Sequence, residues 1–317
     1  MRYLWIALCV FFLGQALVGA QAGEKKWRIG FSQCNLGEPW REQMYADLRR
    51  EVAKYPNDIE LIHKDAQNDT AVQQAQFEEF VSDYEAGNLD CILISPKESA
   101  PFTPLVSRAH KAGIPVIVID REILNNDYTT FIGGDNTVIG RAAGDWTKAK
   151  FDGKKAKGVE LKGLETVVAA QERGDGFHAG IKGSDIEIIF SVDMKWLEPE
   201  ARKEMESALA RFDKIDFVYA HNDPGAHGAY LAAQAVGREK EMTFLGVDAL
   251  PHEGVAYVHQ GIFGATFLYP TVMDKAIETV MQLKKGQKVP KRIILATKVF
   301  DKDNPDGKDM GEDAVTW

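Results

Sequence analysis

Between residues 28 and 284, short runs of β-branched and aromatic residues alternate with longer stretches whose apolar positions recur every three to four residues. The first kind predicts buried strands and the second amphipathic helices, and their regular alternation predicts βα units built on parallel sheets. One series of strands is expected at Arg28–Ser32, Ile59–Lys64, Cys91–Ile94, Val116–Ile119 and Thr130–Ile132. A second is expected at Gly158–Leu161, Ile186–Ser191, Phe217–Ala220, Thr243–Val247 and Ala265–Phe267. Helical spacing covers Trp40–Lys54, Ala71–Ala86, Pro104–Lys111, Ala170–Ile181, Pro199–Phe212, Gly225–Ala235 and Thr271–Lys284. The two series meet where Gly133-Gly134-Asp135-Asn136 leads into a helix, Thr137–Lys150, and a Gly- and Lys-rich turn, Phe151–Gly158. The helix after Tyr269-Pro270 could serve either series, so the pattern leaves open how often the chain crosses between them.

The N-terminus stands outside this rhythm. Met1-Arg2, an almost unbroken apolar run from Tyr3 to Val18, and Ala20-Gln21-Ala22 read as a secretory signal peptide, cleaved near Ala22. As a membrane anchor the run is short and lacks a stop-transfer cluster. Cys9 lies within the run behind Leu8, which argues against lipid attachment. No later apolar segment approaches the roughly 20 residues of a bilayer span, so the exported chain is expected to be water-soluble. Its remaining thiols, Cys34 and Cys91, close one predicted strand and open another, and two buried free thiols are expected. At 317 residues the chain is long enough to divide into two lobes. Its 47 acidic and 38 basic residues give a net charge of -9, which makes nucleic acid a poor partner.

Ligands of open parallel sheets bind beyond the carboxyl ends of the strands, where backbone amides and helix N-termini converge. The residues just after the predicted strands are Gln33 to Trp40, Asp65 to Asn68, Ser95 to Glu98, Asp120-Arg121, Lys162 to Arg173, Asp193 to Trp196, His221 to Asp223, and Asp248. Neutral amides, Asp beside Arg, and Trp suit a polyol. Amides and carboxylates accept hydroxyl hydrogens, guanidinium groups donate to hydroxyl oxygens, and an indole face covers sugar C–H surface.

The motifs Ile29-Gly30-Phe31-Ser32-Gln33 with Trp40-Arg41, Asp65 to Asn68, Asp120-Arg121, Gly133 to Asn136, Glu172 to Phe177, Tyr219 to Asp223 and Gly246-Val247-Asp248 carry a resemblance. In order and spacing the chain, from about Trp27 to about Lys285, resembles the periplasmic sugar-binding proteins of the ribose type, and among them the galactofuranose-binding branch. The resemblance implies an α/β fold of two doubly wound parallel-sheet lobes joined by a three-crossing hinge, the type I periplasmic binding protein. Residues 23–134, completed by about 269–297, would form the N-terminal lobe; 135–268, with part of 298–317, would form the C-terminal lobe. It further implies a periplasmic monomer that binds a small sugar, without cofactor or metal, and presents its closed form to an ABC permease. The same form could instead report to a chemoreceptor or histidine kinase.

By the same resemblance Gln33, Ser95, Asp120 and Arg121 of the first lobe, with Arg173, Asn222 and Asp248 of the second, form the ligand set. Trp40 and Trp196 would cover the sugar faces, and Arg41 matches an arginine of the galactofuranose branch. Trp196 is equally open to a packing role, and Asn222 to a turn role. Leu268 stands where ribose binders carry glutamine, and the tail from Lys298 to Trp317 has no counterpart.

Other chemistries find little footing. The seven histidines show no metal-ligand spacing, and Gly174-Asp175-Gly176 lies too far beyond its strand for a dinucleotide turn. Asp301, Asp303, Asp306 and Glu312 resemble a calcium loop but lack its turn glycine, so a solvated acidic tail is expected. A hydrolase would need a nucleophile or metal constellation that the chain lacks, and a repressor's effector domain would need a helix-turn-helix where the signal peptide stands.

Overall fold

The computed structural model describes residues 25–316. The signal-peptide reading of residues 1–22 falls outside the described residues. The first βα series runs β1 (Trp27–Gln33), α1 (Pro39–Val52), β2 (Ile59–Asp65), α2 (Thr70–Glu85), β3 (Cys91–Ser95), α3 (Ser99–Lys111), β4 (Val116–Ile119) and β5 (Thr130–Gly134). The second runs α4 (Asn136–Phe151), β6 (Ala156–Lys162), α5 (Val168–Ile181), β7 (Ile186–Asp193), α6 (Glu198–Arg211), β8 (Phe217–Ala220), α7 (Asp223–Ala235), β9 (Thr243–Asp248), α8 (Gly254–His259) and β10 (Phe263–Leu268). Then come α9 (Met273–Lys284), β11 (Arg292–Leu295), β12 (Lys298–Asp301), β13 (Asn304–Asp309) and β14 (Ala314–Thr316).

The strands form two sheets, ordered β14-β11-β5-β4-β3-β1-β2 and β13-β12-β10-β9-β8-β6-β7. The cores are parallel; β14, β12 and β13 add antiparallel edges. In each sheet the first strand of the series lies between the second and third, so the order reverses at β1 and at β6. Such switch points leave a crevice at the strands' carboxyl ends, which is where the candidate residues lie. Apolar residues fill both faces: Phe77, Phe80, Ile92, Ile94, Phe102 and Val118 pack on one side of the first sheet. A larger cluster runs from Phe31 and Met44 of the first lobe to Phe177 and Tyr219 of the second.

Side chains at the strand-to-helix turns start several helices. Asp69 accepts from Ala71 N and Val72 N ahead of α2, and Asp135 accepts from Val138 N ahead of α4, each satisfying N–H groups that a helix start leaves unpaired. α3 begins at Ser99, a turn before the expected Pro104. Pro101 falls in that first turn, where a missing N–H costs nothing.

The chain passes from one sheet to the other after β5, between β10 and α9, between β11 and β12, and again between β13 and β14. The fourth passage is made by the tail, in which Asp303, Asp306 and Glu312 are exposed as expected of a solvated acidic segment and Asp301 is the exception. Asp301 is buried, and its carboxylate accepts from Trp146 Nε1 at 2.8 Å, Asp303 N at 2.9 Å and Asn304 N at 2.8 Å, tying the β12–β13 turn to α4. Met310 N donates to Thr297 O at 2.9 Å and Ala296 N to Asp313 Oδ1 at 2.8 Å, so the third and fourth passages are bonded side by side. Cys34 and Cys91 are free and buried.

Candidate functional site

Three residues at the mouth of the crevice have backbones that L-residues seldom adopt. Asp120 follows β4 at φ 64°, Trp196 follows β7 at φ 68°, and Asp248 ends β9 at φ 122°. Such strain persists where surrounding structure enforces it, and it collects at functional sites. Here the enforcement is visible. Lys195 N donates to Asp193 Oδ1 at 2.6 Å and Leu197 N to Met194 O at 2.9 Å, a tight loop that tips Trp196 inward. Its indole lies on Gly163, where a Cβ would come within 2.2 Å of the ring, so only glycine admits it.

Between the sheets is a narrow cavity of about 20 Å³, little more than the room a single water needs. Glu38, Trp40, Arg41, Asp120 and Arg121 line it from the first lobe. Ala169, Arg173, Trp196, Asn222 and Asp248 line it from the second, and Tyr269 from the passage between β10 and α9.

On the first wall, Arg41 Nη1 pairs with Asp120 Oδ2 and donates to Ser95 Oγ at 2.9 Å, and Ser95 Oγ donates to the same carboxylate at 2.7 Å. Burial works to raise the Asp120 pKa, but the charges of Arg41 and Arg121 outweigh it and hold the carboxyl below its ordinary range. Arg41 Nε has no partner and is buried. Arg121 is tied by Nη1 to Lys97 O at 2.9 Å, and its guanidinium lies 5.5 Å from the Trp196 ring centre.

On the second wall, Arg173 projects from α5 with Nε donating to Asn136 Oδ1 at 2.9 Å and Nη1 to His221 O. Its guanidinium lies 5.3 Å from the ring of Trp196 and 4.6 Å from that of Tyr269. Trp196 thus carries an arginine from each lobe, an arrangement in which the ring's electron density faces cations. Its Nε1 is buried without a partner. Asp248 shows no side-chain hydrogen bond, is 6 % exposed, and stands beside buried Asp223. Burial, then the neighbouring Asp223 charge, pushes the Asp248 carboxyl well above its ordinary value; burial takes Asp223 up to about 8. Asp223 itself accepts from Thr266 Oγ1 at 2.6 Å and Ala249 N at 2.8 Å, which fixes the turn after Asp248.

Eight of the ten candidates therefore meet in one cavity, and two do not. Gln33 Nε2 donates to Arg41 O at 3.0 Å and its Oε1 meets His63 Nε2 at 3.1 Å; Ser95 faces Arg41 and Asp120. Both support the wall from behind instead of lining it. Asn222 lines the cavity, yet its amide starts α7 through Gly225 N and holds Trp196 O, each at 2.9 Å. A cavity-lining position and a turn role are combined in that residue. Glu38 and Ala169 lie within the strand-end segments named from sequence without having been singled out, and Tyr269 lies outside them. Tyr269 donates from its hydroxyl to Asp120 O at 2.9 Å and accepts from Trp40 Nε1 at its carbonyl at 2.8 Å, joining the first wall to the hinge.

What the arrangement can do is surround a small polar molecule with charged donors, carboxylate acceptors and aromatic faces drawn from two bodies. Among the described residues no group of His, Cys, Asp and Glu could hold a metal ion. Comparison with known proteins agrees with this geometry. The chain is 31 % identical over 276 residues to the ribose import binding protein of Escherichia coli strain K12, covering 86 % of this chain and 90 % of that protein. It is 28 % identical to the galactofuranose-binding protein of the same organism, covering 92 % and 93 %. Among solved structures, the fructose binding periplasmic domain of a hybrid two-component system superposes with a TM-score of 0.83 at 40 % identity, covering 88 % of this chain and 92 % of that one. A galactofuranose binding protein superposes with a TM-score of 0.82 at 27 % identity, covering 88 % and 96 %. Residues 29–288 match the model of the periplasmic binding protein domain, and the chain belongs to that family.

Proposed function

We propose that this protein captures a small sugar in the periplasm, as a monomer and without chemical turnover, by closing its two lobes, and delivers it to an ABC permease. The observation that carries the reading is the set of unspent groups in the cavity. Arg41 Nε and Trp196 Nε1 are buried without an acceptor, and the Asp248 side chain, 6 % exposed, makes no hydrogen bond among the described residues. A buried polar group without a partner costs about 1–3 kcal/mol, and a ligand rich in hydroxyls relieves that cost on both walls at once. Relatives named for ribose, galactofuranose and fructose support a pentose or hexose, in ring forms that include furanoses. The ligand roles of Trp40, Arg41, Asp120, Arg121, Arg173, Trp196, Asn222 and Asp248 belong to this proposal, as do the lobe limits of 23–134 and 135–268.

One observation favours a second reading. The solved relative at 40 % identity is a domain of a hybrid two-component system, which supports a sensory role for the same capture step. Permease genes beside this one would favour uptake, and a histidine kinase gene would favour sensing. Capture itself is tested by thermal-shift screening against pentoses, hexoses, furanose-forming sugars, polyols and amino acids. A ligand at 100 times its Kd is expected to stabilise the protein by about 2.7 kcal/mol and to be recovered unchanged. If amino acids alone raise the melting temperature, the sugar reading fails.

A further inference from the structure

A second polar cluster lies behind the wall that carries Arg173, out of reach of anything in the cavity. Glu160, on the central strand β6, is 1 % exposed. Its Oε1 meets His221 Nε2 at 3.2 Å, while Oε2 accepts from Ser191 Oγ at 2.8 Å and meets His178 Nε2 at 3.2 Å. Gly163 N donates to His221 Nδ1 at 3.3 Å, so the imidazole proton sits on Nε2 and points at Glu160. The ring is wholly buried. The same residue's carbonyl accepts from Arg173 Nη1, and the next residue is Asn222, whose amide holds Trp196 O. One imidazole is thereby connected to the arginine and the indole of the second wall. Burying an ionised carboxylate in a sheet is costly, and its neighbours Val159 and Leu161 are ordinary core residues. Desolvation works against ionisation of Glu160, but hydrogen bonds from His178 and His221 outweigh it and hold the carboxyl well below its usual range.

We propose that Glu160 and His221 are a positioning pair for ligand capture: the carboxylate fixes the imidazole, and the imidazole fixes the backbone that orients Arg173 and anchors the Trp196 loop. Neither touches the ligand. Nothing in the pair's role depends on which sugar is bound, and only the affinity measurement rests on the sugar reading.

The test compares Glu160→Gln, which removes the charge, with His221→Gln, whose amide can still donate to Glu160 and accept from Gly163, and His221→Asn, which is too short to reach the carboxylate. The first readout needs no ligand. In nitrogen-15 NMR of the ligand-free protein, the Arg173 Nε–H is expected to exchange with water at least tenfold faster in Glu160→Gln and His221→Asn, with His221→Gln retaining most of the protection. If Glu160→Gln lacks a cooperative melt, the two His221 variants carry the same comparison. The second readout is calorimetric titration with D-fructose as probe. Affinity is expected to fall at least tenfold in Glu160→Gln, and by less than twofold when the same change is made in an Arg173→Ala background, because a positioning residue has nothing left to position there. Unchanged Arg173 exchange in both Glu160→Gln and His221→Asn overturns the proposal, as does an equal loss of affinity with and without Arg173. If wild type binds neither fructose nor any other sugar, the capture reading fails, and the exchange rates still decide the positioning role.

Discussion

Asp248 is the residue whose environment demands most explanation, since it is buried, strained at φ 122°, and without a hydrogen-bond donor. Its carboxyl and that of Asp223 are raised together, so the folded protein holds protons that the unfolded chain has released above the ordinary value of 3.8. Stability is then present at low pH and lost as pH climbs from about 4 toward 8. Asp248→Asn removes the unpaired charge. The ligand-free variant is expected to melt a few degrees higher than wild type at pH 8 and to show a flatter profile from pH 5 to 8, while sugar affinity falls at least tenfold. Melting curves at the two pH values with a calorimetric titration check this; an unchanged affinity would remove Asp248 from the ligand set. Arg173 offers the complementary case. Its Nε and Nη1 are spent on Asn136 and His221, leaving Nη2 for the ligand in a direction set by the planar group. Arg173→Lys keeps the charge but not the fork, and at least a tenfold loss of affinity, about 1.4 kcal/mol, is expected in the same titration. Asp248 was legible because it closes a buried apolar strand, a position that chain pattern identifies, whereas Arg173, inside α5 and well beyond β6, was reached through the resemblance carried by Glu172 to Phe177. Tyr269 stands in the same kind of strand-end position, directly after β10. That Gln33 and Ser95 act from behind the wall could not be read, since strand-end position does not say which way a side chain turns.

Helices α4 and α5 place Arg173, and they do so by close backbone approach. A Cβ at Gly140 would lie 2.1 Å from Arg173 O, so α4 can rest on the backbone of Arg173 only if that position is glycine. Gly140→Ala is expected to cost about 1–3 kcal/mol of stability through overpacking and to weaken sugar binding by pushing α5 outward. Denaturant titration and calorimetry measure the two effects. Wild-type stability in the variant would show that the helices are free to separate. The parallel strands β1 to β10 were legible because their runs are mostly apolar, and the longer helices because their stripes face those strands, but β11, which pairs parallel with β5, and the short α8 were missed. β12, β13 and β14 were missed as well. β13 is polar, β12 and β14 are very short, and what makes β12 and β14 strands is pairing with β10 and β11, while β13 pairs with β12.

At the scale of the molecule, two sheets present their reversal points to a common crevice, and four passages of the chain join them. Two lobes were foreseeable from the repeated βα series, but the fourth passage was not, because the tail's role depends on where β11 leaves an open sheet edge. Both walls hold unspent polar groups, so the closed arrangement is favoured when a ligand supplies their partners and disfavoured when it does not. Opening should therefore accompany loss of ligand. Small-angle X-ray scattering of the ligand-free protein, and of the protein saturated with the sugar found by thermal shift, tests this most directly. A smaller radius of gyration and a shorter maximum dimension with sugar are the expected result; superimposable profiles at saturating sugar would contradict capture by closure.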